Sequence, residues 1–109
     1  MAETSYPNIT LNTTLATLSS GAVILSGTYD GLIFTSTLGS SVNLVVPSNL
    51  PAGFTCWAVQ YGAGAIGVTA GSGASAHNEG GFTGTSGQYA LIKIVAVTDG
   101  NVVFSGDAA

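Results

Sequence analysis

Apolar and β-branched residues fall in short runs along this chain, each closed by Gly, Pro, Asn, Asp or Ser. The runs return about every ten residues, which is the spacing of a β-sandwich or small barrel. The candidate strands are Thr13–Leu18, Ala22–Leu25, Leu32–Ser36, Val42–Val46, Phe54–Tyr61, Ile66–Ala70, Tyr89–Val97 and Val102–Ser105. No window reads as an amphipathic helix: Glu, Lys, Arg and Gln are scarce, while Val, Ile, Thr and Gly recur, a balance that favours strands and turns. Thr28-Tyr29-Asp30-Gly31 and Thr98-Asp99-Gly100-Asn101 each set Asp-Gly between apolar runs, where the glycine supplies the positive φ of a tight hairpin. Val97 and Val102 are thus expected to flank the last hairpin. Pro47 and Pro51 bracket Ser48-Asn49-Leu50, a loop where strand pairing stops because proline donates no hydrogen bond.

Two runs are apolar on both faces. Phe54, Cys56 and Ala58 alternate with Thr55, Trp57, Val59 and Tyr61, and Ala90, Ile92, Ile94 and Ala96 alternate with Leu91, Lys93, Val95 and Val97. Strands of this kind are covered on both sides. In so small a domain, one of the covering layers is expected to be another subunit. Residues 1–12 offer few core candidates beyond Tyr6, Ile9 and Leu11 and read either as an extended arm that docks on a neighbour or as a loose terminus. The domain division places the arm at 1–20 and a β-sandwich domain at 21–109. The expected architecture is all-β, a single small β-sandwich, jelly-roll-like, with an extended N-terminal arm.

Composition sharpens this picture. The 109 residues hold one Lys, no Arg and five acids, for a net charge of −4, and charged residues are 6% of the chain, against roughly a quarter in an average soluble protein. Lys93 alone cannot supply the several cations that phosphate binding or an anionic membrane surface requires, so neither nucleic acid nor membrane is an expected partner. The longest apolar stretch, Leu91 to Val97, is too short to cross a bilayer and contains Lys93. At 46% hydrophobic residues, the chain has the wrong composition for disorder. With so few charges to keep a free surface soluble, self-association or packing on a larger assembly is expected, the alternative being a Ser/Thr/Asn surface that is wet without being charged. Cys56 is the only cysteine, which excludes an internal disulfide and a cysteine metal cluster. The N-terminus lacks the pattern of a secretory signal, so synthesis in a cytoplasm is expected. Without such a signal, the sequons at Asn8 and Asn12 are read as chance matches.

The candidate chemistry is thin. Gly62-Ala63-Gly64-Ala65-Ile66-Gly67 fits G-x-G-x-x-G, but the residues that follow cannot form the helix a dinucleotide site needs. A glycine-rich β-turn is the expected reading. His77 and Glu79 lie close together with no third ligand nearby for zinc. No nucleophile elbow or triad is visible, and Cys56 sits in an apolar run, where a thiol is inert packing. Trp57, Tyr61, Tyr89, Phe54 and Phe82 could stack on sugars, but strand positions favour core or interface packing. Tyr6, Tyr29 and Phe82 are the aromatics expected to be exposed. No catalytic, cofactor-binding or metal-binding residue is assigned, and no enzyme is expected.

Pro51-Ala52-Gly53-Phe54-Thr55 and Val59-Gln60-Tyr61-Gly62-Ala63-Gly64 resemble a module that recurs in tailed-bacteriophage structural proteins. Ala70-Gly71-Ser72-Gly73, Gly80-Gly81, Gly87-Gln88-Tyr89, Leu91-Ile92-Lys93 and Ser105-Gly106-Asp107 follow in the same order and spacing. The resemblance runs from about Ala22 to the C-terminus. It departs from the pattern at Val102-Val103-Phe104, where members often carry Trp. The resemblance implies a small β-domain, often trimeric, that decorates capsids or forms part of fibres and tail appendages. Having an arm but no long shaft, the chain is expected to be a capsid decoration (cement) protein on the outer capsid surface, a homotrimer that contacts the major capsid protein. The alternative is a head or tail fibre module that binds a host-surface glycan through turn aromatics such as Phe82. The expected interface residues are Tyr6, Ile9, Leu11, Trp57, Val59, Tyr61, Leu91 and Val95.

Overall fold

A computed structural model describes residues 9–11, 15–18 and 21–109. Its strands are β1 (Ile9–Leu11), β2 (Leu15–Leu18), β3 (Ala22–Ile24), β4 (Ile33–Ser36), β5 (Val42–Val46), β6 (Thr55–Gln60), β7 (Ile66–Ala70), β8 (Ser75–His77), β9 (Leu91–Thr98) and β10 (Asn101–Gly106). Among the described residues there is no α-helix. Each of the eight candidate runs contains or overlaps an observed strand, so the all-β class is as the pattern predicts. The pattern did not predict β1 or β8.

From β2 to β7 the chain deals its strands alternately to two sheets. One is seven-stranded, in the order β1-β2-β4-β6-β9-β10-β8, and the other is three-stranded, in the order β3-β5-β7. Successive turns stack in parallel. Leu15, Ile33 and Trp57 share one row of the large sheet, and Val23, Leu44 and Val68 share one row of the small sheet. The arrangement is β-solenoid-like, and the antiparallel hairpin β9–β10 closes it against β6. Five of the eight ladders among the described residues are parallel, whereas a jelly-roll is an antiparallel architecture. Alternation along a strand reports which face is buried and is blind to the direction of the neighbouring strand, which is why this difference was not readable from the sequence.

The inward faces of both sheets supply one core. Ala16, Phe34, Ala58 and Ile92 lie across neighbouring strands of the large sheet, all fully buried. The Phe34 ring fills the space that its two alanine neighbours leave, and the Tyr29 ring meets it edge-on at 5.7 Å. Leu44, Val42, Val46 and Ile66 face them from the small sheet. Because Ala16 and Leu18 of β2 are core residues, the 1–20 arm must be shortened: the chain has joined the domain by Leu15. The backbone of β1 is paired with β2, while Tyr6 lies outside the described residues, as do the side chains of Ile9 and Leu11.

The two Asp-Gly turns part ways. Thr98 and Asn101 pair across the β9–β10 hairpin, Gly100 has φ +74°, and the ladder shifts register beside it. Val102 accordingly pairs with Ala96 rather than Val97. Asp30-Gly31, by contrast, is a corner between sheets and not a hairpin, because β3 and β4 belong to different sheets. Gly31 has the expected positive φ of +81°. The Asp30 carboxylate accepts a hydrogen bond from the Thr55 N–H at 2.9 Å, and Gly31 N–H donates to the Thr55 carbonyl at 2.7 Å, fastening one turn of the coil to the next.

Candidate functional site

The outer face of the large sheet carries most of the residues expected at an interface. Leu15, Ile33, Trp57, Lys93 and Ser105 form one row. Thr17, Thr35, Val59 and Leu91 form the next, and Thr55, Val95, Val103 and His77 a third. Trp57, Val59 and Val95 are half-buried by their neighbours, while Leu91, Val97 and Val103 are exposed. The second face of β6 and β9 is therefore open in the single chain, with its apolar side chains set among Thr55 and Lys93. The face carries Lys93, whose ammonium lies 5.7 Å from the centre of the Trp57 ring. At one end the face finishes in Tyr61 and Tyr89, whose rings meet edge-on at 5.3 Å.

The structure thus brings Trp57, Val59, Tyr61, Leu91 and Val95 onto one surface. Tyr29, expected in the open, is instead buried against Phe34, because the short 3-10 turn Gly27–Tyr29 folds its ring inward. Tyr89, read as a strand residue, lies before β9 at φ +72°.

The glycine motif has a packing explanation. A β-carbon on Gly62 would come within 2.5 Å of the Thr37 carbonyl group, and one on Gly64 would overlap the backbone of Ser40. The β6–β7 corner lies directly against the corner of the preceding turn, and only glycine lets the two backbones approach that closely. The strand that follows is β7, so the motif opens no helix. Beneath this corner lies a buried polar pair that the sequence reading passed over. Thr85 Oγ1 donates to Gln60 Oε1 at 2.7 Å and accepts from the Ile66 N–H at 2.8 Å, while Gln60 Nε2 donates to the Gly62 carbonyl at 3.1 Å. Their twenty-five-residue separation left no local signal.

His77 ends β8, and Glu79 lies in the loop beyond it. No group of three or more His, Cys, Asp or Glu side chains among the described residues could hold a metal ion. Glu79 and Phe82 line an open cleft of about 450 Å³ with Asn78, Ser105 and Ala108. Asn78 pins that loop: its Nδ2 donates to the Phe104 carbonyl at 2.9 Å, and its Oδ1 accepts from the Gly80 N–H at 2.8 Å.

Cys56 is fully buried on the inner face of β6. Burial, aided by the negative charge of Asp30, pushes its thiol from 9.0 up to about 12. A neutral, enclosed thiol is a poor nucleophile. In the folded protein at pH 8 it should resist a thiol-specific reagent that labels the denatured chain at once; rapid labelling of the native state would contradict its enclosure. The folded state holds this proton more tightly than the unfolded one. Stability is therefore untouched by this group below about pH 9 and declines above it, by up to about 1.4 kcal/mol per pH unit until about pH 12. Cys56→Ala should lose that part of the alkaline slope.

Comparison with protein families, with curated proteins and with solved structures finds no match for this chain. No helix among the described residues is long and apolar enough to cross a membrane.

Proposed function

We propose that this protein is a bacteriophage capsid decoration protein that self-associates, as a homotrimer, through the outer face of its large sheet and reinforces the assembled capsid. The observation that carries the reading is that face, where Trp57, Val59, Leu91, Val95 and Val103 stand open or half-buried among Thr17, Thr35, Thr55 and Lys93 on a surface that runs in register from β2 to β10. A chain with 6% charged residues leaves such a surface to water at a cost, and each Å² of apolar area removed contributes about 25 cal/mol before the entropy of association is subtracted. The phage assignment itself comes from the ordered sequence blocks between Ala22 and Asp107. Several of these lie at corners of the coil, with Gly53, Gly73, Gly81 and Gly106 at positive φ. In this reading the module is a small sandwich-like domain, and the arm with Tyr6, Ile9 and Leu11 reaches the major capsid protein. A protein that binds the assembled lattice and not its free subunits stabilises the lattice by mass action, and a trimer sums three weak attachments. The alternative, a glycan-binding appendage, would rest on Phe82 and its cleft, which the 78–82 loop forms with the end of β10 and Ala108.

Sedimentation at low micromolar concentration should give a trimer, and the protein should co-pellet with assembled phage shells but not with unassembled capsid subunits. A monomer without affinity for shells would overturn the proposal.

A further inference from the structure

Of the three aspartates in this chain, Asp30 and Asp99 are each followed by glycine. An Asp-Gly linkage rearranges readily, because glycine has no side chain to hold its nitrogen away from the neighbouring carboxyl group. The glycine nitrogen attacks Cγ of the protonated carboxyl, water leaves, and a five-membered imide forms. Water then reopens the ring at either carbonyl. One opening restores aspartate, and the other leaves a β-aspartyl linkage in which the main chain runs through Cγ.

The corners require both glycines. Gly31 has φ +81° and Gly100 φ +74°, and a β-carbon on Gly100 would come within 2.5 Å of the Ser48 carbonyl oxygen. The two pairs are held in the same way. Asp30 Oδ1 accepts from the Thr55 N–H at 2.9 Å, while the Gly31 N–H donates to the Thr55 carbonyl at 2.7 Å. Asp99 Oδ1 accepts from the Ala52 N–H at 3.0 Å, while the Gly100 N–H donates to the Leu50 carbonyl at 2.8 Å. In each pair the attacking nitrogen and its target carboxyl are fastened to separate groups of a neighbouring segment. Asp30 also has ψ +131°, whereas an L-residue brings the following nitrogen toward its own Cγ only at negative ψ.

We propose that Asp30 and Asp99 are sites of spontaneous β-aspartyl modification that the folded corners keep closed, so that modification proceeds only through local opening. The gate works in one direction. A chain modified at Asp30 has one more carbon in its main chain at that point. Its carboxylate and the Gly31 N–H then no longer span the single peptide unit that meets both groups of Thr55. This proposal stands apart from the self-association reading, because every bond it uses lies within one copy.

The test is prolonged incubation of the wild-type chain at neutral pH, folded and in denaturant, at a concentration where any oligomer is dissociated. β-Aspartyl groups are counted by enzymatic methylation and located by fragmentation of the intact chain. The denatured chain should accumulate them at Asp30 and Asp99. The folded chain should do so at least about 10-fold more slowly at both, since the rate follows the population of the opened corner. Asp30→Asn and Asp99→Asn keep a carbonyl oxygen where each carboxylate accepts its bond, and their loss of ammonia through the same imide is read as a mass change. They should show the same protection. Ser86→Asn creates an unclamped pair with Gly87 at an exposed position, and it should lose ammonia nearly as fast folded as denatured. Equal rates in folded and denatured wild type would overturn the proposal. Equal protection of the Ser86→Asn chain would overturn the two clamps as its cause, and protection confined to oligomer-forming concentrations would transfer it to the contact between copies.

Discussion

Phe34→Ala should lower stability by about 3–5 kcal/mol, a large share of the roughly 5–15 kcal/mol that holds a domain folded. Phe34 is fully exposed to neighbours and not at all to water, and the residues beside it in the ladder are Ala16 and Ala58. Large against small is how this row fills its space. Truncation would set three alanines side by side with no bulky neighbour in the row able to collapse into the gap, since Ile92 is already packed against Ala58. The Tyr29 ring would also lose its edge-on partner. Denaturant unfolding checks this: a loss below about 1 kcal/mol would mean that the two sheets do not share the core described here. Phe34→Leu should recover most of the stability.

Trp57→Asp should leave the domain folded and weaken self-association by about 100-fold or more. Trp57 points away from the core, between Ile33 and Lys93 on the outer face. Removing it forfeits its contact with the Lys93 ammonium, worth about 0.5–1 kcal/mol at an open site. The larger effect falls on the contact, where a carboxylate would have to be stripped of water inside an apolar interface. Circular dichroism and thermal unfolding should stay close to wild type while sedimentation shifts to monomer. A folded Trp57→Asp variant that still forms the wild-type oligomer would place the self-contact on another surface. Trp57→Phe, which keeps the face apolar, should associate almost normally.

The legibility of this fold in its sequence was uneven for physical reasons. Val42–Val46 and Ile66–Ala70 were placed to the residue, because alternating apolar side chains between glycines and prolines are a local signal. Ser75–His77 was missed because it has no β-branched or aromatic residue; it becomes a strand by lying parallel to β10, a partner more than twenty residues away. Tyr29 was expected in the open and is buried, and Tyr89 was placed in a strand that it precedes. Burial of the first depends on a 3-10 turn, and exposure of the second on a left-handed backbone, neither of which composition encodes. The interface candidates on β6 and β9 converged because alternation assigns a residue to a face wherever the strand ends up.

By itself, the order of the residues determined that this chain is built of short strands, that Cys56 is interior, and that β6 and β9 are apolar on both sides. Each of these depends only on a residue and its close neighbours in sequence. The tertiary structure decided that strands alternate between two sheets and stack in parallel, that Gly62 and Gly64 mark a contact between successive corners, and that Tyr61 meets Tyr89. Those outcomes follow from hydrogen-bond pairing and close packing between segments distant in sequence, which no local pattern carries.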